Sequence, residues 1–480
     1  MHMRVSCVLA MLVMSACSAG QATNASEPLS SPRSTLEVHL PNGRKTTRTD
    51  AESSSTTNAP SRCSQPTGRQ RVTMWVQFSG EAAPNSFKAL VDQFAASHPS
   101  IQLEVAYIDG PVLDRLRHTT VDAWPDIALL TPQALRQFMD SGALIPPPEC
   151  HGSSGAELLP VVRAAYSVNG VLQAEPFGVS TPVLFFDSNE MRAAGLDPTD
   201  PPITLAALSA ASRQIVSSGA SPHGLVVYDW FANFLIHQGA AKRGELIGTP
   251  DNGRKGEPFT VHYESPSNVA DMTWLHDVVA HDGAVWTGGI PGGIEDLVRI
   301  VDRVDGGTMT IHTCAALGDV ISLLDAGSFP GVEIGVGPMP GDAPGGAVGG
   351  TGLFEFDHGD AQRAGAAAQV VQWFTQPSSV AQYAAATGAV PSSRAAADQP
   401  SVRAAWNLHP ILEVAYQQLA SEVGSVVTAG PLYGPEGIVM SLMNSMTSEV
   451  VVDGRDPADA LAGLTTSVNA VLREYQSSIP

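Results

Sequence analysis

The sequence predicts an α/β protein made of two domains, and three observations support this. The chain has 480 residues, more than one hydrophobic core usually serves. Apolar residues make up 43% of it and charged residues only 15%, so a large core can be buried. From residue 71 onward, strand-like and helix-like spacings of apolar residues alternate, which is typical of a largely parallel sheet covered by helices.

The N-terminus is typical of an exported bacterial protein. Arg4 precedes a short apolar stretch, which is too short to cross a bilayer as a permanent helix, and small residues follow it. The tetrapeptide MSAC, ending at Cys17, resembles a lipobox, in which the cysteine receives the lipid. We therefore predict a signal peptide over residues 1–17 and a lipid anchor on the outer face of the cytoplasmic membrane. The alternative is cleavage after Ala16 and free secretion.

Residues 18–70 are predicted to form a disordered tether, because they are rich in Ser, Thr, Asn and Pro and contain few large apolar residues. After export three cysteines remain, Cys63, Cys150 and Cys314, which allow one disulfide and one free thiol. Cys63 and Cys150 flank the same stretch and are the favoured pair. The alternative is that all three are free, with Cys314 buried as a small apolar side chain.

The first folded unit is predicted to alternate strands and helices. A strand is expected at 71–78, which is rich in Val and aromatic residues, and another at 101–108, where apolar and polar residues alternate. A further short strand is expected at 125–131. Helices are expected at 83–100 and 132–144 from their apolar spacing, and Asn85 or Ser86 is the expected cap of the first one.

The second unit is predicted to open with a buried strand at 183–186 and a helix that Asp187 or Ser188 caps and Gly195 ends. Later elements follow in this order: a helix at 201–219, a strand and helix over 223–240, a strand at 307–313, and a Gly- and Pro-rich crossing between two short strands at 331–356. Two helices broken near Pro377 come next, with Gly388 as the stop of the second, and then a mostly helical C-terminal quarter.

Charge and motif content exclude several function classes. The formal net charge of −21 argues against binding to nucleic acid and against a polybasic membrane patch. We find no G-x-S-x-G, S-x-x-K or H-E-x-x-H motif and no metal-ligand spacing of histidines, so neither a metal nor a cofactor is predicted. His312 and Cys314 would face the same side of a strand, which leaves a thiol–imidazole pair as the one enzymatic arrangement to consider.

Four stretches, in the same order along the chain, resemble the solute-binding proteins of ABC importers. They are STPVLFFDSNEMRAAGLDPTDPPIT, GTMTIHTCAALGDV, GVGPMPGDAP with the following GGTGLF, and ATGAVPSSRAA. The similarity is to the carbohydrate-type family, and within it to the group that binds glycerol 3-phosphate and glycerophosphodiesters. It implies a bilobal, periplasmic-binding-protein-like α/β fold, with crossing hinge strands and a ligand cleft between the lobes. Lobe 1 is expected over 71–178 and 345–393, and lobe 2 over 179–344 and 394–475.

The resemblance also implies ligand-binding residues, which are Ser180 at the entry to lobe 2, Gly349 and Gly350 after the second crossing, and Thr313. Other positions depart from the pattern of the glycerol phosphate group: Pro111, Pro132, Ala389 and Met440 stand where a tyrosine, a glutamate, a tyrosine and an arginine are expected. Without that arginine a phosphate loses its strongest hydrogen bonds. We therefore predict a neutral or zwitterionic solute.

Position along the chain adds further ligand-binding candidates, because open parallel sheets bind ligands at the carboxyl ends of their strands. These candidates are Trp75, Gln77, Asp126, Trp230, Tyr433 and Glu436. The alternatives are that Trp75 belongs to the core, that Asp126 is a turn residue, and that Tyr433 and Glu436 lie in a surface turn.

Together these features predict a monomeric, lipid-anchored substrate-binding protein that is not an enzyme. It would capture a sugar, polyol or glycerophosphodiester-like solute and deliver it to the membrane subunits of an ABC permease. The alternatives are a secreted hydrolase and a signalling or adhesive lipoprotein on the same fold.

Overall fold

A computed structural model describes residues 62–78, 80–255, 260–287, 295–301, 306–341 and 347–479. The predicted signal peptide, Cys17 and most of the predicted tether lie outside the described residues. Within the described part of the chain, no helix has the length and apolar character needed to cross a membrane.

The strands, in chain order, are β1 Gln70–Val76, β2 Ile101–Tyr107, β3 Ile127–Leu130, β4 Leu144–Ile145, β5 Ser167–Val168, β6 Val171–Leu172, β7 Glu175–Ser180, β8 Pro182–Asp187, β9 His223–Val227, β10 Gly248–Thr249, β11 Thr260–Val261, β12 Ala284–Trp286, β13 Gly307–Thr313, β14 Ile334–Pro338 and β15 Gly349–Phe356.

The helices are α1 Ala82–Ser97, α2 Val112–Arg117, α3 Leu135–Asp140, α4 Pro147–Cys150, α5 Pro160–Ala165, α6 Ser188–Ala193, α7 Leu205–Ser218, α8 Trp230–Arg243, α9 Pro266–His281, α10 Glu295–Val301, α11 Leu317–Asp325, α12 Ala361–Phe374, α13 Pro377–Thr387, α14 Arg394–Ala397, α15 Pro400–Leu408, α16 Val414–Ala420, α17 Glu436–Val451 and α18 Pro457–Ser478. Single 3-10 turns cover Val121–Ala123, Pro132–Ala134, Cys314–Ala316 and Pro410–Leu412.

The first sheet has the order β2-β1-β3-β15-β4, and β7 also pairs with β15. Strands β1, β2 and β3 are parallel, as the sequence predicted, whereas β15 runs antiparallel to β3, β4 and β7. This sheet is therefore mixed, because β15 returns from the second half of the chain and pairs antiparallel with β3, β4 and β7. We call the part of the protein built on this sheet the first lobe.

The second sheet has the order β12-β9-β13-β8-β14. Strands β12, β9 and β13 are parallel, while β8 runs antiparallel to both of its neighbours. Every residue of β8 is buried, in agreement with the predicted buried strand. We call the part built on this sheet the second lobe.

The chain passes between the sheets where β7 ends at Ser180 and β8 begins at Pro182. In each sheet, several strands end at the same edge as the crossing. In the first sheet these strand ends are Val76, Leu130 and Gly349, and in the second they are Val227, Thr313 and Pro338. We call these two edges the hinge edges. One hydrophobic cluster contains both Val179 of the first sheet and Val183 of the second, so the core is continuous across the crossing.

The local signals at helix ends were mostly read correctly. Asp187 caps α6 by accepting hydrogen bonds from the amides of Asn189 and Glu190, and Gly388 ends α13 with a φ of 78°. The predicted cap of α1 was wrong, because α1 begins at Ala82 and both Asn85 and Ser86 lie inside the helix.

The end of the predicted tether is attached to the first lobe. Cys63 and Cys150 form a disulfide with their Cα atoms 5.3 Å apart, as favoured from the sequence. The Arg62 guanidinium donates to the carbonyl of Leu144 at 3.0 Å, and the Ser64 amide donates to the carbonyl of Ala361 at 2.8 Å. The disulfide and these hydrogen bonds thus hold residues 62–69, a polar segment that precedes β1 and lacks a core of its own, on the first lobe.

Candidate functional site

The first crossing brings together three of the residues predicted from the resemblance. Ser180 pairs with Gly349, and Val179 pairs with Gly350, in the antiparallel register of β7 and β15. Gly350 has a φ of 82°, and a Cβ atom there would collide with the carbonyl oxygen of Gly178. Glycine is therefore required at position 350 by the close approach of two backbones.

Ser180 belongs to the first sheet, although the sequence placed the start of lobe 2 at residue 179. Strand β7 continues to Ser180 because it pairs with β15 as far as Gly349. The change of sheet takes place at Thr181, the single residue between β7 and β8.

A glutamine that was missed from the sequence joins the crossing segments. The Gln418 amide nitrogen donates to Thr181 Oγ1 and to the Pro182 carbonyl, each at 2.9 Å. Its amide oxygen accepts from the backbone amide of Met339 at 2.8 Å, just after β14. Gln418 lies more than 230 residues from Thr181, so no local sequence signal marks this contact.

Thr313 lies at the hinge edge of the second sheet, opposite Pro182. It is half-buried and caps the following 3-10 turn by accepting a hydrogen bond from the amide of Ala315 at 3.4 Å. Its position brings it close to the crossing that holds Ser180.

From the hinge edge of the second sheet the chain leads into α8, with Asp229 at its N-cap position and Trp230 as its first residue. Asp229 Oδ1, Trp230 Nε1 and Asn233 Oδ1 are buried and have no hydrogen-bond partner among the described residues. Asn444 Oδ1, on the helix α17 that packs on α8, is likewise buried without a hydrogen-bond partner among the described residues. Because buried polar atoms are nearly always hydrogen-bonded, each of these four atoms calls for a partner.

Asp229 has one identified contact, a side-chain hydrogen bond with Ser448 of α17. Burial raises the pKa of the Asp229 carboxyl, and the hydrogen bond with Ser448 opposes that rise. Asn233 and Asn444 were missed from the sequence. The available signal for Asn233 was its spacing of four residues from Asp229, which puts both side chains on one face of a helix that starts at a strand end.

Two candidates lie on β1 or just after it. Trp75 is half-buried and packs against the hydrophobic core, and the guanidinium of Arg115 lies 5.5 Å from the centre of its ring. This agrees with the core alternative for Trp75. Gln77 follows β1 at the hinge edge and is exposed, so its side chain is available to a ligand.

Asp126 makes structural contacts, which favour its alternative as a turn residue over the predicted role in ligand binding. It precedes β3 and so lies at the end of that strand opposite the hinge edge. Its carboxylate accepts from the Thr73 amide at 2.7 Å and the Thr73 hydroxyl at 2.8 Å, and forms an ion pair with Arg363. With a side chain only 2% exposed and these partners, Asp126 fastens α12 to the first sheet.

Tyr433 is buried in the core of the second lobe, and not in a surface turn. Its hydroxyl lies 2.6 Å from that of Tyr263 and 3.0 Å from His237 Nε2. Burial lowers the pKa of the His237 imidazole to about 4, so this histidine is neutral at pH 7. The network joins His237 of α8 to two loop tyrosines of the same lobe, and Tyr433 is better explained as a packing residue.

Glu436 is the first residue of α17 and is half-buried. Burial raises the pKa of its carboxyl to about 7, and the charge of Arg117 on α2 acts in the opposite direction. A Cβ atom on the next residue, Gly437, would lie 3.1 Å from Arg117 Nη1. Glu436 thus lies where α2 of the first lobe meets α17 of the second lobe.

The thiol–imidazole pair considered from the sequence does not have the required chemistry. Cys314 lies in the 3-10 turn after β13 rather than on the strand. It is buried, and burial raises the pKa of its thiol to about 12. A nucleophilic cysteine needs the opposite shift, toward the thiolate.

One group of metal-type ligand atoms stands out among the described residues, formed by Cys63, Cys150 and Glu355. The two cysteines form a disulfide, so their sulfurs are not thiolate ligands. This group therefore does not fit a metal ion.

Comparison with known protein sequences agrees with the resemblance found in the sequence. The profile of the family described as bacterial extracellular solute-binding protein matches residues 89–410 of the chain. The sn-glycerol-3-phosphate-binding periplasmic protein UgpB of Pectobacterium atrosepticum is 22% identical over 429 residues, which cover 85% of this chain and 92% of that protein.

Solved structures confirm the predicted bilobal α/β fold. UgpB from Mycobacterium tuberculosis, in complex with glycerophosphocholine, aligns with a TM-score of 0.68 at 16% identity and covers 85% of this chain and 100% of its own. The GacH receptor of Streptomyces glaucescens, solved unliganded and with acarbose, aligns with a TM-score of 0.67 at 19% identity and covers 84% and 99% of the two chains.

Proposed function

The chain belongs to the family of bacterial extracellular solute-binding proteins, and from this premise we propose that it is the solute-binding component of an ABC importer. It captures a small solute between its two lobes at the hinge edges and delivers it to membrane permease subunits. The N-terminal signal and Cys17 anchor it by a lipid to the outer face of the cytoplasmic membrane, where it acts as a monomer.

The observation that carries the proposal is the group of buried polar atoms beside the second-sheet hinge edge. Asp229, Trp230, Asn233 and Asn444 each bury a polar atom with no partner among the described residues. Leaving such an atom unpaired costs about 1–3 kcal/mol, which a bound solute with matching groups would recover. A few convergent polar groups beside an aromatic surface are typical of small-molecule sites.

The chemistry of these four atoms favours a hydroxyl-rich solute. Three of them are carboxylate or amide oxygens that accept hydrogen bonds, and the fourth is the indole N–H of Trp230, which donates. Sugar and polyol hydroxyls can both donate and accept, and the face of Trp230 suits the C–H groups of a sugar ring. We propose a sugar, a polyol or a glycerophosphodiester that brings its own cation.

Residues at the crossing and at the hinge edges add further groups to the proposed site. Ser180 supplies a hydroxyl, Gly349 permits close approach of a ligand to the backbone, and Gly350 lets β15 approach β7 closely enough to hold both in place, while Gln77 and Thr313 contribute polar groups from either hinge edge. A solute that contacts both lobes favours the arrangement in which they are together, which is the form expected to dock on a permease.

A thermal-shift series tests the proposal. The mature protein is heated with glucose, maltose, glycerol, glycerol 3-phosphate and glycerophosphocholine, each at millimolar concentration. A specific ligand raises the midpoint in proportion to the logarithm of its concentration. We expect a rise with at least one sugar, polyol or glycerophosphodiester and a smaller rise, or none, with glycerol 3-phosphate.

The variants Asn233→Ala and Asn444→Ala are expected to reduce the shift, because each removes a polar group that the solute would pair with. Asn85→Ala is the matched control, since Asn85 is exposed on α1 away from the polar group. The proposed ligand class is wrong if glycerol 3-phosphate alone raises the midpoint. The assignment of the polar group to the site is wrong if the asparagine variants and the control give equal shifts.

A further inference from the structure

The N-terminus of α1 is capped by a side chain from the other lobe. Asp319 Oδ1 accepts hydrogen bonds from the backbone amides of Glu81 and Ala82, both at 3.0 Å. Glu81, which occupies the N-cap position, makes no capping hydrogen bond with its own side chain. A residue 238 positions away thus satisfies two amides that a helix start leaves without internal partners.

The two partners belong to different lobes. Helix α1 follows β1 of the first sheet and packs on α13, which contacts β7 of the same sheet. Asp319 lies on α11, which follows β13 of the second sheet, and Val320 and Leu323 of α11 line an apolar cavity together with Phe185 of β8. The hydrogen bonds of Asp319 therefore run from one lobe to the other.

Glycines next to both partners allow the backbones to approach closely at this contact. Gly80 has a φ of 73°, and a Cβ atom there would collide with the carboxylate of Asp319. On the other side, a Cβ atom on Gly318 would lie 2.6 Å from the Ala386 carbonyl oxygen at the end of α13. Glycines at both positions let the start of α11 fit between α1 and α13.

Carboxylates at a helix N-terminus also interact favourably with the helix dipole, so Asp319 contributes through its charge as well as through its hydrogen bonds. A helix cap whose partners both lie in one lobe is unaffected by a rotation of the lobes relative to each other. Asp360 is such a cap, because it accepts from the amides of Gln362 and Arg363 at the start of its own helix, α12. The Asp319 cap differs, since any rotation of the lobes about the crossing changes the distance between its partners.

We propose that Asp319 is an interlobe latch, which forms when the lobes come together and breaks when they separate. The inference rests on the proposed function only in assuming that the lobes move. The latch stabilises the arrangement seen in this structure before any solute binds. When the lobes part, water replaces Asp319 at the amides of Glu81 and Ala82, which keeps the cost of opening small and the latch reversible.

The test measures the distance between the lobes without any ligand. Spin labels are attached at Ser97→Cys on α1 and Ser217→Cys on α7, two exposed positions in different lobes, and their distance distribution is recorded by pulsed electron resonance. In the unliganded protein we expect a population at the distance of this structure. Asp319→Ala should lower the ratio of that population to the longer distances by about 2- to 30-fold, the range for loss of an N-cap.

Two further variants make the result specific. Asp319→Asn keeps a neutral acceptor but loses the charge, so it should shift the distribution in the same direction by a smaller factor. Asp360→Ala removes a cap of the same kind within the first lobe. It should lower the thermal midpoint while leaving the distance distribution unchanged.

The latch is refuted if Asp319→Ala and the unsubstituted protein give superimposable distributions, or if Asp360→Ala shifts the distances equally. It is also refuted if the unsubstituted protein shows only the longer distances. Because no solute is present, a failure of the thermal-shift series leaves this measurement intact, and the two proposals are tested separately.

Discussion

Individual polar residues gave the clearest contrast between the proposed site and the structural contacts of the protein. Asp126 and Asp229 both stand beside strand ends in the sequence, but Asp126 is surrounded by the Thr73 amide and hydroxyl and by Arg363, whereas one oxygen of Asp229 is buried without a described partner. A carboxylate whose oxygens are already hydrogen-bonded within the protein has little capacity left for a ligand, whereas one with an unbonded buried oxygen can accept a hydrogen bond from it. Hydrogen-bond saturation, which the sequence does not reveal, separates the two roles.

Glu175, at the start of β7, provides a test at this scale. It is only 4% exposed, and burial raises the pKa of its carboxyl to about 7. The nearest cationic partner would be His151 at 3.9 Å, but burial lowers the pKa of that imidazole to about 4, so it is neutral near pH 7. In the folded protein Glu175 therefore holds its proton up to a higher pH than in the unfolded chain.

Since the folded state binds the extra proton between about pH 4.5 and 7, the stability that this site contributes is present at low pH and is lost as the pH rises through that window. Glu175→Gln keeps the shape and removes the titration. We expect the variant to gain about 2–3 kcal/mol in free energy of unfolding relative to the unsubstituted protein between pH 5 and pH 8, measured by urea denaturation. Glu474→Gln, at an exposed glutamate on α18, is the control. Parallel stability curves for the unsubstituted protein and the Glu175 variant would contradict the prediction.

At the scale of elements, local signals located most strands and helices but not every end. The start of α1 was predicted from Asn85 and Ser86 because such residues favour N-caps, yet the helix begins earlier and is capped by Asp319 from another lobe. Likewise, Arg62–Gln70 has the composition of a tether but is attached to the first lobe. In both places a tertiary contact overrides the local preference.

The Cys63–Cys150 disulfide should be a major stabilising link of the first lobe, because its cysteines are 87 residues apart and it closes a long loop of the unfolded chain. We expect Cys63→Ser with Cys150→Ser to lower the free energy of unfolding by about 2–5 kcal/mol in urea denaturation. A reducing agent should bring the unsubstituted protein to the level of the variant and leave the variant unchanged. Equal midpoints for the two proteins without reductant would show that the link does not stabilise the fold.

At the scale of the whole molecule, two sheets joined by crossing segments share a continuous core, and side chains such as Gln418 fix the crossing. A further contact between the lobes is the hydrogen bond from the Tyr475 hydroxyl to Asp140 at 3.0 Å. Lobe movement thus has to reorganise contacts around the crossing while the strands that pass through it remain paired.

Gln418→Leu tests how strongly the crossing depends on its side-chain bonds. The substitution keeps a similar volume but leaves the Thr181 hydroxyl, the Pro182 carbonyl and the Met339 amide without the partner that Gln418 provides. We expect a loss of about 2–5 kcal/mol in free energy of unfolding, measured by urea denaturation. Gln417→Leu, at the exposed neighbouring residue, should change stability by less than about 1 kcal/mol. Similar losses for the two variants would mean that the bonds of Gln418 are not what stabilises the crossing.

The sequence by itself determined the elements whose signals are local: the buried strand β8, the cap at Asp187 and the helix end at Gly388. Only the tertiary structure decided that β7 and β15 complete the first sheet, that Asp126 makes structural contacts, that Gln418 bonds the crossing, and that Asp319 bonds across the lobes. The reason is that apolar periodicity and capping are set by residues a few positions apart. Hydrogen-bond partners more than 200 positions apart are chosen by how the folded elements come together.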